Sequence, residues 1–187
     1  HPIFLSPMAG VSTPELAAAV SNSGGLGSIG VGNISSPQKV HDLICRTQKL
    51  TKSPFQVNFF CHDSFEYNKN IGLEWINYLK PYFNENNTQK TNVLLPTTLK
   101  EIYPSFKSNN DMLQVVLETR PTAVSFHFGL PAINQISLLK NANIVTIATV
   151  TQLSEAKLAI DAGIDILVVQ GIEAGGHRGM FHYNKLS

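Results

Sequence analysis

The chain has 187 residues, 43% hydrophobic and 14% charged, with a formal net charge of +1; this is the composition of a globular domain with a sizeable core, and it excludes the basic footprint of a nucleic-acid binder. No apolar run reaches the length of a membrane span, and no signal-peptide pattern opens the chain. The two cysteines, Cys45 and Cys61, sit in no CxxC or Cys/His ligand spacing, so no metal site and no disulfide scaffold is expected, and the reading is a soluble cytoplasmic domain.

Two periodicities alternate along the chain. Pro2 to Pro7 is a short apolar run that reads as a strand. "STPE" at Ser12 to Glu15 is a helix start, with Ser12 as N-cap, Glu15 three residues on and Pro14 in the first turn. The small-residue run from Leu16 to Ser21 is the helix, stopped at Gly24-Gly25. Leu26 to Val31 is a second strand, and "SSPQKVHDLICRTQKL" an amphipathic helix. Phe55 to Phe60 alternates strictly, with Phe55, Val57 and Phe59 on one face and Gln56 and Asn58 on the other. From about 61 to 110 the sequence is polar and irregular, an excursion with a helix around Leu73 to Phe83 and an extended piece at Val93-Leu-Leu-Pro.

Regularity returns with a helix at Asp111–Arg120 and strands at Ala123–Phe128 and Ile144–Thr149. A helix at Thr151–Ala162 and a strand at Asp165–Gln170 follow. Strands rich in Val and Ile that alternate with helices predict a parallel α/β sheet covered on both faces. The tally is about six strands, where a (β/α)8 barrel has eight, and a doubly wound open sheet is the competing architecture. The chain opens on His-Pro-Ile-Phe-Leu rather than Met and stops just past a glycine-rich loop. The expectation is a single domain over 1–187, truncated at its C-terminus, whose open sheet edges aggregate or are covered in a homodimer.

In either architecture, ligands gather at the C-terminal strand ends. Those positions hold Met8, Gly30, Asn58, His127, Thr149 and Gln170, and the loop "GIEAGGHRG" at 171–179 follows the last. Asn58 and Gln170 read equally as satisfied amides closing the sheet. Gly175 and Gly176, with His177 and Arg178 beside them, permit close backbone approach and supply donors for an anion or a flavin; a mobile surface loop is the competing reading. In the strand before His127, Ala123, Ser125 and His127 face one way, and Val124, Phe126 and Phe128 the other. That puts His127 at the inner rim, as a base or as a satisfied structural histidine.

Four blocks, "PIFLSPMAGVSTPELAAAVSNSGGLGSIG", "PFQVNFF", "VSFHFGLP" and "VVQGIEAGGHRG", together resemble the nitronate monooxygenases, formerly 2-nitropropane dioxygenases, in the class with a histidine base. The resemblance covers nearly the whole chain apart from the excursion. It implies a TIM barrel with non-covalent FMN that oxidises alkyl nitronates, such as propionate 3-nitronate, with O2 to nitrite and a carbonyl compound. It implies that His127 is the base, that Asn58, Gln170, Gly175 and Gly176 contact FMN, and that Met8 borders the flavin ring. His177 matches a position near the cofactor. The rival readings are an FMN-dependent enoyl-thioester reductase and an inactive truncated product.

Overall fold

The computed structural model describes residues 2–64, 67–85, 102–107 and 109–181. They divide into two compact units, one built from 1–63 with 103–187 and one from 64–102.

In the first unit, α1 (Pro14–Asn22) is capped by Thr13, whose hydroxyl accepts the Leu16 N–H at 3.3 Å. The cap is thus one residue later than the sequence pattern suggests. Ser12 is occupied elsewhere: its hydroxyl accepts the Met8 and Gly30 N–H groups at 2.9 and 3.2 Å and donates to the Met8 carbonyl at 2.8 Å. The small face of α1, with Ala17, Ala18 and Ser21 buried, lies directly on β1 (Gly27–Gly30). A β-carbon on Gly27 would stand 2.0 Å from the Ala17 carbonyl oxygen, so helix and strand can touch only because both carry small residues. Before them, Pro2–Pro7 forms no strand but a single parallel bridge, Phe4 to Leu26. Prolines at both ends leave Leu5 the N–H that bonds Leu26.

The remaining units repeat one plan. α2 (Pro37–Leu50) is capped by Ser36 and buries Val40, Ile44 and Thr47, one stripe at helical spacing. β2 (Phe55–Phe60) follows. α3 (Lys69–Glu85), with Pro81 inside it, belongs to the second unit and extends the expected helix at both ends. The extended piece expected at Val93 lies outside the described residues. α4 (Asn110–Thr119) is capped by the Asn109 side chain and ends on Arg120 in the left-handed region. β3 (Ala123–His127) leads to α5 (Ile133–Asn141), a helix that the sequence reading passed over. Its start has no Ser, Thr, Asp or Asn cap; instead Gln135 reaches back to accept the Ala132 N–H at 3.1 Å. β4 (Val145–Val150), α6 (Leu153–Asp161) and β5 (Ile166–Val169) complete the unit.

The five strands lie in the order β1-β2-β3-β4-β5, every neighbouring pair parallel. Sequential order is that of consecutive βα units in a TIM barrel, whereas a doubly wound sheet reverses its order. The core confirms which face is outside. Ile29, Val57, Val124, Phe126 and Ala148 join the apolar cluster with Val40, Ile44, Val116, Ile136 and Leu139 of the helices. The other face carries Ser28, Gln56, Asn58 and Ser125, all buried, which is the polar or small lining of a barrel axis.

Candidate active site

β3 delivers His127 to the C-terminal rim on the polar face, in register with Phe60 of β2. The strand ends there because Phe128 turns into the left-handed region at φ 73° and Gly129 follows at φ 151°. Phe128 therefore leaves the outward row to which alternation assigned it. Its ring lies edge-on to His127 at a centroid distance of 4.5 Å and to Phe60 at 4.9 Å, and perpendicular to His177 at 5.8 Å. The turn is pinned by the Cys61 N–H, which donates to the His127 carbonyl at 2.8 Å. A β-carbon on Gly129 would stand 2.5 Å from the Cys61 carbonyl oxygen just past β2, so close packing and the positive φ both demand glycine.

The loop after β5 closes over the histidine. His127 Nε2 lies 3.1 Å from the His177 carbonyl oxygen, which can only accept, so this contact assigns the ring proton to Nε2 and leaves the Nδ1 lone pair unprotonated in the neutral ring. Gln170 holds the loop with both ends of its amide: Nε2 donates to the same His177 carbonyl at 2.8 Å, and Oε1 accepts the Gly179 N–H at 2.8 Å. Further on, the Phe181 N–H donates to Glu155 Oε1 at 2.9 Å. Burial pushes the His127 pKa below its ordinary value; the bond to the His177 carbonyl opposes this, and the His177 ring adds to the lowering. A lowered pKa keeps the imidazole neutral, the form that can accept a proton.

The other expected residues stand at the same strand ends in different states. Asn58 is buried and donates to Ser125 Oγ at 2.9 Å, two residues before His127 on the same face. Met8 is tied by Ser12 to the end of β1. Gly175 and Gly176 lie on the exposed outer part of the loop, and a β-carbon at either would meet nothing within 4 Å. Among the described residues, no hydrogen bond links Met8, Gly175 or Gly176 to His127. The sequence reading missed Phe60, Phe128, Gly179 and Glu155 as parts of this assembly. Gly179 had a signal, since it closes the quoted glycine-rich loop; Phe128 flanked His127 but was assigned to the outward row, and Phe60 was assigned to neither face. A cavity of about 390 Å³, lined by Cys61, Leu130, Ile133, Leu158 and Phe181 among others, shares Phe128 with the cluster but contains none of the expected site residues. Among the described residues no group of His, Cys, Asp or Glu is arranged to hold a metal ion, and no helix is long and apolar enough to cross a membrane.

A sequence model of the family described as nitronate monooxygenase matches residues 1–187. The chain is 48% identical over 182 residues to a nitronate monooxygenase of Paraburkholderia phytofirmans, covering 96% of this chain and 48% of that protein. It is 47% identical over 181 residues to one of Pseudomonas aeruginosa, covering 97% and 50%. Among solved structures, the nitroalkane oxidase from Streptomyces ansochromogenes matches with a TM-score of 0.78 at 32% identity, covering 98% of this chain and 50% of that one. FabK from Thermotoga maritima matches at 0.65 and 28% identity, covering 96% and 43%. The chain thus spans about half the length of the curated relatives it matches. A match over the whole chain, and relatives that share nearly half its residues, establish that the chain belongs to the nitronate monooxygenase family.

Proposed function

We propose that the protein oxidises alkyl nitronates with O2 to a carbonyl compound and nitrite, that it uses FMN, and that it also accepts neutral nitroalkanes by removing their α-proton at His127. The observation that carries this reading is His127 itself: an imidazole at the C-terminal ends of parallel strands whose lowered pKa favours the neutral form, its Nε2 engaged and its unprotonated lone pair on Nδ1. The residues present fit a flavin. Gly175 and Gly176 expose loop backbone with open space beyond it; Asn58 stands below the rim with its amide on Ser125, and Gln170, engaged at both ends, serves the cofactor by holding the loop. FMN, when bound, accepts the electrons of the oxidation, and the protein binds, orients and excludes competing chemistry. His127 takes the α-proton, Gln170 and the His177 carbonyl hold its ring, and Phe60 and Phe128 keep water from one side.

The test compares two substrates with His127→Asn at equal flavin occupancy. Turnover of a neutral nitroalkane should fall a hundredfold or more, about the usual weight of general-base catalysis, while turnover of the preformed nitronate, which has no α-proton left to remove, falls much less. Equal losses would make His127 a positioning group and sink the base assignment. Oxygen uptake with nitronate and no nicotinamide donor separates this reading from an enoyl-thioester reductase, which would need one.

A further inference from the structure

We propose that Phe128 is a positioning residue for His127: its left-handed backbone swings the benzyl group out of the helix-facing row and against the imidazole, where it shields the base from water. The inference rests on His127 acting as the base.

The backbone is the first observation. A bulky side chain at φ 73° is an outlier, because its Cβ crowds the following carbonyl. Glycine or asparagine would make the same turn with less strain, and glycine does stand at the next position. Strain of this kind persists only where the surroundings over-determine it. The helix layer does not demand the ring, since Val124 and Phe126 already fill that face of β3 and are fully buried. What the turn achieves is on the other side. The Phe128 ring meets His127, Phe60 and His177 at once, at 4.5, 4.9 and 5.8 Å. Phe60 reaches this position because Gly32 leaves room: a β-carbon there would stand 2.9 Å from its ring. The imidazole is thus walled by two phenyl rings and roofed by the loop.

Burial is the largest cause of the lowered His127 pKa, and Phe128 is the ring nearest to it among its aromatic neighbours. Few charges compete with that effect. The titratable group that acts on His127 is His177 on the closing loop; Cys61, Asp63 and Lys107 line the cavity that Phe128 borders, and Glu155 holds the loop farther on at Phe181. The strand ends beside His127 contribute the uncharged Thr149 and Gln170.

The experiment follows the His127 ring resonances against pH in flavin-free protein, assigned by their loss in His127→Asn, for the wild type, Phe128→Gly and Phe128→Tyr. Phe128→Gly should titrate at higher pH, toward the ordinary imidazole value, and Phe128→Tyr should titrate like the wild type. In flavin-loaded protein the acid limb of kcat/KM for a neutral nitroalkane should move in the same direction for Phe128→Gly, so that turnover is lost first at acid pH. Should Phe128→Gly not fold, Phe128→Asn carries the same test, because asparagine tolerates the left-handed region. A His127 titration unmoved by Phe128→Gly, or moved as far by Phe128→Tyr, overturns the proposal. An unmoved titration with a large His127→Asn effect overturns the role of Phe128 and leaves the base standing. A moved titration with no His127→Asn effect removes the base, and with it the catalytic meaning of the shield.

Discussion

A β-carbon on Gly179 would stand 2.7 Å from His127 Cε1 and 2.9 Å from Thr149 Cγ2, closer than real carbon contacts come. Glycine is therefore what lets the loop settle on the histidine, and its N–H is one of the two bonds that Gln170 makes to the loop. Gly179→Ala should lift the loop, at a cost of about 1–3 kcal/mol, the usual penalty of forcing a methyl group into a packed site. Hydrogen exchange at the residue-179 amide should accelerate accordingly, and wild-type protection in the alanine variant would mean that the loop is held by something other than Gln170. Side-chain direction at this scale was legible where the backbone stays regular. Alternation correctly turned Ser125 and His127 inward and Val124 and Phe126 outward. It failed at Phe128, because a period of two carries no information about a residue whose φ changes sign. The capping pattern missed by one residue at Ser12, where two adjacent hydroxyls could each cap α1, and the tertiary bond from Gly30 occupies the first of them.

Among the elements, α6 and the loop after β5 share one anchor that the sequence did not announce. Glu155 is 2% exposed, and its carboxylate accepts the Thr151 N–H at 2.7 Å, the Thr151 hydroxyl at 3.0 Å, Gln152 Nε2 at 3.3 Å and the Phe181 N–H at 2.9 Å. Burial alone would raise its pKa, but the bonds from Phe181, Thr151 and Gln152 together outweigh it and hold the carboxyl below the ordinary glutamate value. A carboxyl whose pKa is lowered by folding adds stability above its unfolded pKa and loses it as pH falls through the folded one. The Tm difference between wild type and Glu155→Gln should therefore be largest at neutral pH and vanish under acid conditions below the ordinary glutamate value. At neutral pH the loss should be about 1–3 kcal/mol, the weight of hydrogen bonds to a buried charge. A difference that does not change with pH would show that Glu155 is protonated in the fold. Helix boundaries were readable to within a residue or so near capping side chains: the helix expected at Asp111–Arg120 is α4, Asn110–Thr119, capped by Asn109. α5 escaped because its cap is a glutamine inside the helix, reaching backward to Ala132.

At the scale of the whole molecule, strand order is a property of how βα units stack, and no local pattern encodes it. Alternating strands and helices announced a parallel sheet, and the order β1 to β5 excludes the doubly wound alternative. The same order leaves β5 with a neighbour on one side only among the described residues. Its outer surroundings are apolar: Val169 is 79% exposed and Ile172 88%. An unpaired strand with exposed valines is a template for another chain, since its N–H and C=O groups are free to continue the ladder. Expressed by itself, the 187-residue chain should accordingly self-associate. Light scattering coupled to size exclusion should find dimers or larger species whose population grows with concentration. Val169→Lys places a charge on that strand, disfavouring stacking without touching His127 or the loop that Gln170 holds, so it should shift the distribution toward monomer while leaving the His127 titration unchanged. A monodisperse monomer at high concentration would mean that the edge is covered within the chain. An unaltered distribution in Val169→Lys would place the association surface elsewhere, with the exposed aromatic row Trp75, Tyr78 and Tyr82 on α3 the next face to substitute.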